Sequence, residues 1–154
     1  MRLEPITALN WRAAGALRVA PGQLGMVAEF EPVAFVILAR TYVGYENGVW
    51  HPLVAVDDEM VGVLALVDEG STWALRSFMI DARFQGRGHG RAVVLAAIDY
   101  VRARGGGALR LTVHPDNAAA IHLYESLGFT YSQPRGTDLG MRLALHSGND
   151  GHLQ

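Results

Sequence analysis

The chain has 154 residues, enough for one domain that buries about 70% of its unfolded surface. Hydrophobic residues make up 50% and the formal charge is −2, which excludes a disordered bulk and gives no electrostatic footprint for duplex nucleic acid. Without cysteine, without an apolar run of about 18 residues and with a first segment (MRLEPITALNW) unlike a secretory leader, the expectation is a cytoplasmic protein free of disulfides, thiolate catalysis and membrane spans.

Residues 3–6 suit a short opening strand. Asn10 is placed to cap a helix over residues 11–19, stopped by Pro21-Gly22. After Pro32 a second helical pattern sets Phe35, Leu38, Ala39 and Tyr42 on one face. Residues 44–47 read as an exposed connection. Two β-branched runs, 51–57 and 60–67, flank Asp58 and predict a hairpin, and residues 71–81 form the next strand after Asp68-Glu69-Gly70. From about Gly90 the period changes. Val94, Ile98 and Val101 share a helical face that ends at Gly105-Gly106-Gly107. A strand over 108–113 follows, then Asp116-Asn117 cap a helix running to Leu127 and closed by Gly128. Residues 129–132 and 139–145 predict two more strands. An antiparallel group followed by strand–helix–strand–helix–strand defines an α/β fold, a mixed sheet with helices on both faces. The domain is expected over residues 1–145, and residues 146–154 (HSGNDGHLQ), with nothing to bury, as a frayed tail.

Between the third long strand and the helix that begins near Gly90 lies QGRGHGR, residues 85–91. A helix N-terminus leaves backbone N–H groups unpaired, and glycines there let an anion approach the main chain closely. Arg87, His89 and Arg91 would add charge, although a ligand-free turn uses the same glycines. Spacing narrows the ligand. The dinucleotide fingerprint fails because its third glycine falls on Arg91, and no Gly-Lys-Ser/Thr follows for a nucleoside triphosphate. A pyrophosphate bound without Mg²⁺ remains.

The pattern Gln85-x-x-Gly88-x-Gly90 resembles the pyrophosphate loop of the GNAT superfamily, the acyl-CoA-dependent N-acyltransferases. A second stretch, Asn117 to Phe129 (NAAAIHLYESLGF), matches that family's helix, with Asn at its start, Tyr seven residues on and Gly-Phe at its end. The resemblance covers about residues 60–145. It implies a single-domain GNAT fold, with about six or seven mostly antiparallel strands splayed between the fourth and fifth. It implies acetyl-CoA as acyl donor, held by the outward amides of Phe78, Met79 and Ile80, by the loop Gln85, Gly86, Arg87, Gly88, His89, Gly90 and Arg91, and by Asn117, Ala120 and Tyr124. Two helical turns separate Asn117 from Tyr124, about 10 Å along one face.

The resemblance further implies direct attack of a primary amine in a ternary complex, with Tyr124 as acid for the leaving thiolate and one strand amide polarising the thioester carbonyl. The base stays open. Glu29, Glu31 and Glu46 are the acids near the acceptor side, in an N-terminal third similar to bacterial spermine/spermidine-type acetyltransferases. Glu29 and Glu31 would draw in a cationic amine and relay its proton, or would simply be a solvated helix entrance. His51 is a further base candidate or a surface residue. Arg76 stands where animal polyamine acetyltransferases carry a glutamate. Facing the acceptor it would repel a polycation and suit a carboxylate or phosphate; facing away it would be irrelevant. His114 and His122 lack partners at metal spacing, so no metal is expected. The expected partners are acetyl-CoA and a small, polyamine-like or other amine, with no nucleic acid, no membrane and a homodimer compatible with the family. An aminoglycoside-type or protein N-terminal acetyltransferase and a non-catalytic acyl-CoA-binding module are the alternatives.

Overall fold

A computed structural model of the chain describes residues 1–145, so the expected tail at 146–154 lies outside the described residues. Alternating aliphatic side chains build seven strands into one sheet, in the order β1-β2-β3-β4-β5-β7-β6. These are β1 (Arg2–Pro5), β2 (Val49–Asp57), β3 (Glu59–Asp68), β4 (Thr72–Ile80), β5 (Ala108–Val113), β6 (Thr130–Arg135) and β7 (Asp138–Ala144). Every neighbouring pair is antiparallel except β4 and β5. Four helices complete the fold: α1 (Trp11–Gly15), α2 (Val33–Val43), α3 (His89–Ala103) and α4 (Ala118–Ser126). None of the described helices is long and apolar enough to cross a membrane.

β3 shows why the sheet has helices on both faces. Val63, Ala65 and Val67 point into one core while Leu64 and Leu66 point into the other, the two-residue period of a strand covered on each side. The first core packs against Ala14, Ala34 and Ile37 of α1 and α2. The second packs against Val94, Ile98 and Val101 of α3, as the helical period predicted, and against Tyr124 of α4.

Three local expectations differ from the structure. α1 ends at Gly15 rather than 19, and Asn10 does not cap it through its side chain. Asn10 Oδ1 instead accepts from the Thr7 N–H at 2.7 Å and its amide donates to the Pro5 carbonyl. α2 buries Val33, Ala34 and Ile37, not the stripe through Phe35 and Tyr42; Tyr42 is 91% exposed. This helix is apolar nearly all round (VAFVILARTYV), so periodicity alone selects no face. Its Phe35 lies over Gly15, where a Cβ would come within 2.3 Å of the ring, and against Trp11 at 5.8 Å. Finally, α3 begins at His89, inside the QGRGHGR stretch, so the glycine loop is shorter and Gly90 sits in the first helical turn.

The feature that positions a site is the divergence of β4 from β5. Only Thr72, Trp73 and Ala74 pair with β5, so Leu75 to Ile80 have no partner on that side. β4 is also bulged. Val63 pairs with Met79 but Ala65 pairs with Arg76, which leaves one extra residue on β4, and Ser77 takes φ 53°. A parallel pair that opens after three residues, next to a bulge, makes a wedge between β4, β5 and α4.

Candidate active site

Two cavities meet in the wedge. One, of about 240 Å³, lies against the glycine loop, and the other, of about 280 Å³, opens towards the loop that precedes α2. Both are bordered by Val27, Phe78, Asn117, Ala120 and Tyr124, so they form one groove passing between β4 and α4.

Of the residues expected to hold the donor, Phe78, Met79, Ile80, Gln85, Gly86, Gly88, His89, Gly90, Asn117, Ala120 and Tyr124 line the loop-side cavity. Gly86 and Gly88 have φ of 76° and 80°, the left-handed region that side chains avoid, and a Cβ on either would meet only open space. Gly88 caps the 15-residue α3 without any side-chain bond, which leaves the helix's first amides to whatever occupies the cavity. His89 lies edge-on to Phe84, its Nδ1 3.7 Å from an Asp57 carboxylate oxygen. Arg87 and Arg91 do not line either cavity. Arg87 reaches over the Phe84 ring, and Arg91 donates to Ser126 Oγ at 3.1 Å, joining α3 to α4.

Gln85 is placed differently from the expectation of a simple loop contact. Its amide nitrogen donates to Gln23 Oε1 at 2.8 Å and to the Ile80 carbonyl at 2.9 Å, and Gln23 donates back at 3.0 Å. Asn117 accepts from the Ala120 N–H at 3.2 Å and so caps α4 as its sequence position predicted. Tyr124, two turns on, is 7% exposed and packs on Phe129. Its hydroxyl has no hydrogen-bond partner among the described residues, and burial pushes the phenol above its ordinary pKa.

On the other side of the groove, Glu29 lines the wider cavity. Glu31 does not; its carboxylate accepts from the Val19 N–H at 3.0 Å. Arg76 does face this cavity. Its guanidinium donates to Glu46 Oε2 at 2.5 Å, and Arg135 donates to both oxygens of the same carboxylate. The hydrogen bond from Arg135, then the charge of Arg76, overcome burial and hold Glu46 at about 2, too low for a useful base. His51 is remote from the groove, tilted against Trp73 with its Nδ1 2.7 Å from the Tyr100 hydroxyl. His114 serves a turn, accepting from the Asp116 N–H. Among the described residues no group of three or more His, Asp or Glu is placed to hold a metal.

Two organising residues were not anticipated. Asp81, 3% exposed, accepts from the Arg18 N–H at 2.9 Å and from Arg83, and Ala82 N–H donates back to the Arg18 carbonyl. Burial works to raise the Asp81 pKa, but these hydrogen bonds outweigh it and keep the carboxyl below its usual range. An acid directly between an apolar strand and the turn Ala82–Phe84 was a readable cap signal. Gln23 carried none, because its partner is 62 residues away.

A splayed α/β sheet with a glycine cradle at one end of the wedge and a buried tyrosine at its centre is the architecture of an acetyltransferase domain. The chain belongs to the Acetyltransferase (GNAT) family, whose profile matches residues 19–129. It is 54% identical over 50 residues to mycothiol acetyltransferase of Rhodococcus erythropolis, a match that covers 32% of this chain and 17% of that protein. It is 36% identical over 100 residues to the [ribosomal protein bS18]-alanine N-acetyltransferase of Salmonella typhimurium, covering 62% of this chain and 66% of that one. The spermidine N-acetyltransferase of Vibrio cholerae, solved in complex with CoA and spermine, shares the fold with a TM-score of 0.72 at 18% identity, covering 94% of this chain and 95% of that one.

Proposed function

We propose that the chain transfers an acetyl group from acetyl-CoA to the primary amine of a small molecule, both bound at once in the groove. The observation that carries this reading is Tyr124, a buried phenol whose hydroxyl is unbonded and which borders both cavities. The loop suits the donor's diphosphate. Gly86 and Gly88 have open space where a Cβ would stand, and α3 has no side chain capping its first amides. Gly90 and His89 complete that cradle, while the unpaired side of Phe78, Met79 and Ile80 and the facing Asn117 and Ala120 would hold the arm that follows. Acetyl-CoA supplies an acyl carbon already activated as a thioester.

The protein's own part is to orient the two molecules and to move protons. An alkylamine has a pKa near 10, so it arrives mostly as the ammonium at neutral pH and must lose a proton to attack. Glu29, in the acceptor-side cavity, attracts that cation and takes the proton through water. Glu31 is set aside, since its carboxylate is engaged by Val19. As the new C–N bond forms and the C–S bond breaks, nitrogen gives up one proton and sulfur gains one. Tyr124, with its pKa raised by burial, keeps its own proton more firmly than a free phenol. Its role is to donate a hydrogen bond towards the departing sulfur, and a proton only as one is returned.

Transfer to a protein N-terminus is the second reading, favoured by the name of the Salmonella relative. Calorimetric titration of CoA, combined with thiol release in the presence of an amine panel, tests both. Tyr124→Phe should leave CoA affinity unchanged and lower kcat by about 10²-fold. An unaltered kcat removes the assignment of Tyr124. A chain that fails to bind CoA at high micromolar concentration removes acetyl transfer altogether.

A further inference from the structure

The acceptor-side cavity is lined by side chains of both charges. Arg40 from α2, Arg76 from β4 and Arg135 from β6 all line it. Arg76, whose side chain is 14% exposed, and Arg135 share the Glu46 carboxylate, while Arg40 lies over the Tyr45 ring at 4.8 Å and donates to Ser77 Oγ at 3.4 Å. Arg40 has no acidic partner within 4 Å among the described residues. The other acid at this end is Asp138, which faces Arg135 across the β6–β7 pair. Arg76 and Arg135 are matched by Glu46 and Asp138, which leaves Arg40 as the guanidinium of this lining without a carboxylate beside it. Glu29, on the segment before α2, lines the same cavity and is bonded to none of them.

A polyamine offers only cations to such a cavity, and one of its ammonium groups would face arginines. A molecule with both an amine and a carboxylate satisfies both signs of charge in the lining. Guanidinium groups recognise carboxylates through paired N–H donors, and Glu46 shows that Arg76 and Arg135 are already arranged around one. Resting on the acetyl-transfer reading above, we infer that the acceptor is an amine that carries a carboxylate, its nitrogen drawn to Glu29 and its carboxylate to Arg40 and Arg76. Of the amine classes considered, this favours amino-acid-like molecules over polyamines and over chains whose N-terminus has no carboxylate nearby.

The test compares kcat/KM for the standard amino acids and β-alanine with their carboxamides, for spermidine and for short amidated peptides, following thiol release from acetyl-CoA. Rates are corrected for the fraction of free amine, since the carboxamides are weaker bases. The carboxylate member of the preferred pair should lead by about tenfold or more, the effect of one charge-assisted hydrogen bond. Arg76→Gln, and independently Arg40→Gln, should bring that ratio towards one. Carboxamides used equally well, spermidine preferred, an amidated peptide preferred, or a ratio unmoved in both folded variants would each overturn the inference and leave acetyl transfer standing. Failure to acetylate any amine, with CoA bound, would instead overturn the acetyl-transfer reading and this inference with it.

Discussion

Tyr124 and Glu46 show how much a single residue's role depends on neighbours that its local sequence does not name. Tyr124 stood out through the family resemblance, and its place seven residues after Asn117, two turns along one helix, keeps both on a common face. Glu46 was legible as an acid near the acceptor side, in an exposed connection, but not as the partner of two arginines. Its work is to hold Arg76 and Arg135, which are 30 and 89 residues further along the chain. The low pKa of about 2 has a consequence for stability. A carboxyl held below its ordinary 4.5 contributes stability that is complete above that value and lost as pH falls towards 2. Glu46→Gln should therefore melt below the wild type by a constant margin above about pH 5, and the margin should shrink as pH is lowered. Melting curves of the two proteins across that range check it, and a gap that persists at the acid end would mean the ion group does not form.

At the scale of elements, strands were read well and helices less so. The apolar runs of β3 and β5 can be buried only in a sheet covered on both faces, whereas α2 has apolar residues in every direction and needed Trp11 and Gly15 to fix its orientation. The glycine loop was legible as a candidate anion cradle because a helix start is itself a physical signal. Gly88 and Gly105 make a controlled comparison. Their φ values are 80° and 81°, and neither has an atom within 4 Å of an added Cβ, yet Gly88 starts α3 in the groove and Gly105 follows its far end. Alanine at either position should cost about 1–2 kcal/mol of stability, the penalty of a left-handed L-residue. Only Gly88→Ala should also weaken CoA binding, by about tenfold, because only there does the methyl enter the cradle. Chemical denaturation and calorimetry separate the two effects. Equal CoA affinity in both variants would place the diphosphate elsewhere.

Across the whole molecule the two ends of the groove are tied together by contacts that no local pattern could announce. The segment between α1 and α2 supplies Val27 and Glu29 to the acceptor side. It is fastened to the end of β4 and to the glycine loop by the Arg18–Asp81 and Arg18–Ala82 bonds and by the reciprocal Gln23–Gln85 pair. The family resemblance assigns Gln85 to the donor, but its amide is shared with Gln23 and the Ile80 carbonyl, so it also fastens the segment that reaches the other end of the groove. Gln85→Leu removes the bonds to Gln23 while Gln23 Oε1 can still accept from the Ala20 N–H. The segment is thereby loosened rather than unfolded. If Gln85 only contacted the donor, the variant would weaken CoA binding and leave the acceptor KM unchanged. As a fastener it should raise the acceptor KM about as much as the CoA dissociation constant, by several-fold or more in each, since each neutral hydrogen bond lost is worth about 1 kcal/mol. Gln23→Leu, which cuts the same pair from the acceptor side, should reproduce both changes. A Gln23 variant that leaves CoA affinity intact would show that the two ends of the groove bind independently.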